Sequence, residues 1–80
     1  MTWQAFISSD AQLLGGKPAL KGPRLSVEFL LERLASGWSM QDLYDNYPGL
    51  TPAHMQAVFA FANELLADTR FYPAPPQQAA

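Results

Sequence analysis

A mainly α domain, three helices behind a short N-terminal β arm, is the fold class that this 80-residue chain predicts. Three observations lead there. Apolar residues recur at three- and four-residue steps in three stretches after residue 26, which places them on one face of a helix. Each stretch is opened by a serine or threonine suited to capping a helix. Glycine and proline punctuate the chain between them, most densely from Gly15 to Leu50, and dictate where the backbone turns.

The elements follow in order. Trp3 to Ser8 is short and aromatic and reads as an edge strand or extended arm, with a turn beginning at Ser9-Asp10. Ala19-Leu20-Lys21, held between Pro18 and Gly22, is a second extended piece that can pair with the first as a small ribbon. Ser26 is the expected N-cap of the first helix. Glu28 suits its positive end, and Val27, Leu30, Leu31 and Leu34 form its apolar face. Gly37 is placed to end it in a left-handed conformation. Ser39-Met40-Gln41-Asp42 resembles a capping box, with Asp42 in place of the usual Glu or Gln, and Met40, Leu43, Tyr44 and Tyr47 form the second apolar face. Pro48-Gly49 stops that helix. Thr51 caps the third, with Pro52 at its first position, where a missing amide costs nothing. Met55, Val58, Phe59, Ala62, Leu65 and Leu66 then recur at helical spacing, to about Thr69. The expected core is Leu30, Leu31, Leu34, Leu43, Tyr47, Leu50, Val58, Phe59 and Ala62. Residues 1–70 read as a single domain and residues 71–80 as a flexible proline-rich tail.

Composition bounds the function. A chain of this length builds one core. The absence of cysteine excludes disulfides and thiolate metal sites. The N-terminus has no basic segment followed by an apolar run, and no stretch is long enough to cross a bilayer, so a soluble, cytoplasmic protein without membrane contact is expected. A net charge of −2 with only five basic residues gives no basic stripe of the kind an independent nucleic-acid binder carries. No catalytic, cofactor-binding or metal-ligating constellation stands out, and an enzyme is not expected. Asp42 and Asp45 lie on a polar helix face with no histidine or metal cluster beside them.

Gly16-Lys17-Pro18, Gly22-Pro23-Arg24-Leu25-Ser26-Val27, Leu34-Ala35-Ser36-Gly37 and Tyr47-Pro48-Gly49-Leu50-Thr51, followed by an alanine-rich helix, form an ordered fingerprint. From Phe6 to Leu66 the chain resembles the bacterial "domain of unknown function 433" antitoxin-like family. That resemblance implies a homeodomain-like helix-turn-helix core. It also implies a partner, a PIN-like ribonuclease toxin, that the protein neutralises while autoregulating its operon. Two positions depart from the pattern: Pro23 stands where threonine is usual, and Trp38 where a polar or charged residue is common.

Two groups of residues carry the functional expectations. Lys17, Lys21 and Arg24 are candidate anion or nucleic-acid contacts, since glycine-rich backbone and cations suit a phosphate. The structural alternative has Arg24 bracing its loop through Asp42 or Asp45 and the lysines simply solvated. If the second and third helices form a helix-turn-helix, Gln56 is placed to read a base and His54 to touch a phosphate. Against this, the third helix has no lysine or arginine before Arg70 and carries Glu64 and Asp68. Phe59 and Phe61, two apart, face different sides. Phe59 falls on one stripe with Met55, Ala62 and Leu66, whereas Phe61, Leu65, Phe71 and Tyr72 are the candidate partner interface. A two-fold homodimer is a natural way to cover a spare apolar patch. The favoured expectation is an antitoxin-like interaction protein. The alternative is a helix-turn-helix transcriptional regulator without a toxin partner, for which operator DNA is the ligand.

Overall fold

In the computed structural model, residues 2–10 and 14–68 are described. Three helices follow a two-stranded antiparallel sheet. Strand β1 (Ile7–Ser8) pairs with β2 (Ala19–Leu20), Ile7 opposite Leu20 and Ser8 opposite Ala19. Directly opposed residues share a face, so Ile7 and Leu20 enter the core together. The ribbon is shorter than the aromatic stretch that predicts it. Trp3–Ala5 forms a turn of 3-10 helix, closed by the Phe6 amide donating to the Trp3 carbonyl. That turn carries the Trp3 ring onto the last helix, a tertiary contact that overrides the extended preference of an aromatic run.

Beyond β2, the segment Lys21–Arg24 reverses the chain. The Leu20 amide donates to Leu25, the Arg24 amide to Leu20, and the Val27 amide to Pro18. Gly22 takes φ 89° and Arg24 φ 58°, so a non-glycine residue also sits in the left-handed region. Helix α1 (Val27–Ala35) starts where Ser26 Oγ accepts the Phe29 amide. It ends in a Schellman motif: the Trp38 amide donates to the Arg33 carbonyl, the Gly37 amide to the Leu34 carbonyl, and Gly37 adopts φ 103°. Helix α2 (Met40–Asn46) opens with the capping box, Asp42 N–H to Ser39 Oγ at 3.0 Å and Ser39 N–H to the Asp42 carboxylate at 2.8 Å. A turn with the Leu50 amide donating to Tyr47 leads into α3 (Pro52–Asp68).

The core comprises Ile7, Leu20, Val27, Leu30, Leu43, Leu50, Met55, Ala57 and Val58. Leu31, Leu34, Tyr47 and Ala62, expected within it, are half-buried at its edge, and Phe59 is 44% exposed. The cause is the rotational setting of α3. Its inward stripe runs His54, Ala57, Val58 and Phe61 at i, i+3, i+4 and i+7, with Met55 beside it. A polar first member and a small second one disguise this stripe, and the bulkier Met55–Phe59–Ala62–Leu66 row looks like the core face in its place. Among the described residues no helix is long and apolar enough to cross a membrane.

Candidate functional site

Two surfaces bring the candidate residues together. The first is a concavity of about 390 Å³ at the ribbon, lined by Ser8, Asp10, Lys17, Lys21 and Arg24 among others. The tight reversal at Gly22-Pro23 places Lys21 and Arg24 on either side of one bend, and Lys17, two residues before β2, lies on the same rim. Lys17 Nζ pairs with Glu28 at 2.5 Å across the start of α1, and Lys21 Nζ donates to the Gln4 carbonyl at 3.3 Å. The hydrogen bond and charge of Glu28 hold the Lys17 ammonium above its ordinary range. On the alkaline side the pairing therefore persists until pH rises through that raised value. Both partners are exposed, so salt screens them and the pair contributes little to stability. The expected Arg24 brace to α2 does not form. Asp42 is committed to the Ser39 cap and Asp45 accepts from Gln41 Nε2 at 2.9 Å, which leaves Arg24 on the concavity.

His54 is set apart from these cations. Its Nδ1 accepts the Thr51 amide at 3.0 Å and lies 2.8 Å from Thr51 Oγ1, while its own amide donates back to that oxygen at 3.3 Å. This is a reciprocal cap with histidine in the position that Glu or Gln usually fills. The ring also meets Phe6 edge-on at 5.8 Å. Gln56 is exposed on the first turns of α3, with Thr51 and Ala53.

The second surface is apolar and belongs to the C-terminal half of α3. Phe61 is half-buried, its ring meeting Trp3 edge-on at 4.7 Å, and Trp3 Nε1 donates to Glu64 at 2.6 Å. Beyond it Leu65 is 53% and Leu66 71% exposed, alongside Phe59. Phe61 and Leu65 also form one wall of a groove whose other wall is Val27, Leu31 and Ala35 of α1. Phe71 and Tyr72 lie outside the described residues.

A cluster that the sequence reading left out joins α1 to α2. Arg33 lies over Phe29 (5.1 Å) and Trp38 (5.6 Å), Trp38 stacks on Tyr47, and Phe29 meets Tyr47 edge-on. The Phe29–Arg33 spacing of four was the available signal. Trp38, the residue out of place in the family pattern, is here the hydrophobic partner of the Schellman motif.

Residues 7–62, from β1 through most of α3, match the family model described as "Protein of unknown function (DUF433)". The chain belongs to the DUF433 family. No curated protein and no solved structure matches it. The span shared with the DUF433 model includes the ribbon, the basic concavity and all three helix starts. It ends before Leu65 and Leu66, so the most exposed apolar turn of α3 lies outside it.

Proposed function

We propose that this DUF433 protein is a non-enzymatic, antitoxin-type interaction protein. It binds a PIN-like ribonuclease and blocks the nuclease cleft by occupancy, in the bacterial cytoplasm. One observation carries the reading: Phe59 and Leu66 stand exposed two turns apart on one face of α3, with Leu65 exposed next to Leu66. Large apolar side chains exposed together on one helix of a small domain mark an interaction surface, and aromatic residues are enriched in such contacts. The identity of the partner rests on the resemblance of the sequence to antitoxin-like proteins. A homodimer through the same helix is a second use of this surface, and the sizing step below distinguishes it.

The test is co-purification with the product of the neighbouring gene, followed by sizing. A stable complex of the two proteins is expected. The double variant Phe59→Ser/Leu66→Ser, which alters no core residue, should weaken capture at least about tenfold, the scale of a small hot spot. Equal capture removes α3 as the contact, and absence of any complex overturns the partner.

A second reading, operator binding by α2 and α3 as a helix-turn-helix, is favoured by the meeting of Lys17, Lys21 and Arg24 at one concavity. It expects a salt-sensitive mobility shift with upstream DNA that alanine at these three positions weakens. A shift indifferent to both removes the concavity from DNA contact.

A further inference from the structure

We infer that the Arg33–Trp38 cluster, where α1 turns into α2, is a docking site for an acidic side chain of a partner protein. Arg33 is the ion-pairing head. Trp38, stacked on Tyr47, is the apolar shelf for the residue beside that acid.

Arg33 Nε is buried and has no hydrogen-bond partner. A buried N–H without an acceptor is costly, more so on a charged group. Phe29 and Trp38 attract the guanidinium charge, with ring centroids 5.1 and 5.6 Å from its central carbon. A ring face does not replace the oxygen acceptors that the planar fork of donors is built to meet. The fold offers no carboxylate instead. On α1, Glu28 and Glu32 line the groove toward α3, and Glu28 is paired with Lys17. Glu32, the residue before Arg33, is turned about 100° from it around the helix. On α2, Asp42 accepts the Ser39 amide and Asp45 accepts from Gln41 Nε2. No ion pair among the described residues includes Arg33.

The same contacts prepare the head for an outside ligand. An arginine side chain loses much rotamer freedom when it is immobilised, and here the rings impose part of that loss on folding. The frame is itself braced. The Schellman turn holds Trp38, and Phe29 meets Tyr47 edge-on. Phe29, Arg33, Trp38 and Tyr47 are all half-buried, so the cluster is ordered and still reaches the surface. Arginine, tryptophan and tyrosine are the residue types that dominate the energetic centres of protein interfaces.

Charge selects the class of anion. Between Val27 and Asn46, Arg33 is the single base among four acids, Glu28, Glu32, Asp42 and Asp45. A nucleic-acid strand carries a row of phosphates past those acids and is repelled. One carboxylate at hydrogen-bond distance from the guanidinium outweighs them, because the aromatic surroundings strengthen the contact. The site belongs to α1, α2 and their turn, whereas Phe59 and Leu66 belong to α3, so it stands without the ribonuclease reading.

The experiment is selection of a displayed library of random short peptides on the full chain, with no other protein present. Recovered peptides should share an Asp or Glu next to an apolar residue. A synthesised binder should lose affinity about tenfold when its acid is replaced by the amide, the scale of one hot-spot contact. Arg33→Met should cost as much, and on that variant the acidic and amidated peptides should bind alike, the non-additivity of a direct pair. Arg33→Lys should restore little, because the planar fork is missing. In the unaltered chain, the Arg33 Nε–Hε NMR signal should move with the acidic peptide and stay in place with the amidated one, a readout that needs no variant to fold. A library that yields no binder, binders without an acid, affinity indifferent to Arg33, or displacement of the peptide by a single-stranded oligonucleotide would each overturn the inference.

Discussion

His54 shows how one residue's chemistry depends on its neighbours. In the sequence it is the lone histidine near a helix start, where a phosphate is a reasonable partner. In the fold its Nδ1 is engaged by the Thr51 amide and its ring rests against Phe6, so it closes the first turn of α3 as an acceptor. His54→Gln keeps an acceptor in that position and should leave the unfolding midpoint nearly unchanged. His54→Ala leaves the Thr51 amide without its acceptor and should cost about 0.5–2 kcal/mol, read from urea melts of the two variants. The three basic candidates were legible as a group because the glycine-proline run confines them to one short stretch. Their individual pairings were not, since the Lys17–Glu28 bridge depends on how β2 meets α1, and that is set by the core.

At the scale of elements, caps and turns were the most legible features. Ser26, Ser39 and Thr51 each begin a helix, and Gly37 ends one, because these roles need only local backbone chemistry. The two glycines after α1 and α2 nevertheless do different work. Gly37 is left-handed, whereas Gly49 is absent from the positive-φ residues and sits in a turn that other residues adopt. Gly37→Ala should therefore destabilise by about 1–2 kcal/mol, the cost of a Cβ in that conformation. Gly49→Ala should stabilise by about 0.4–1 kcal/mol by restricting the unfolded chain. Thermal melts of the pair check the contrast, and equal losses would contradict it. What the local rules did not yield is the rotational setting of α3. Phe59 outweighs Ala57 in any count of apolar bulk, yet Ala57 is the one that fits against the neighbouring elements.

For the whole molecule, stability of an 80-residue domain is a margin of about 4–12 kcal/mol, so peripheral contacts matter. Trp3 joins the start of the chain to the far half of α3 through Phe61 and Glu64. Trp3→Ala should lower stability by about 1–2 kcal/mol, the edge-to-face ring pair plus part of the buried area. Amide exchange over residues 61–67 should rise, while α1 and α2 keep their protection. Uniform loss across all three helices would show that the contact belongs to the central core. The sequence marked Trp3 only as an aromatic in an arm, because its partners are 58 and 61 positions away and no local pattern encodes so long a separation.

That separation also orders events during synthesis. Trp3 leaves the ribosome 58 residues ahead of Phe61 and 61 ahead of Glu64. Until those two emerge the arm waits without its seat, and the nascent protein presents an indole to whatever chaperone or membrane surface lies near the exit tunnel.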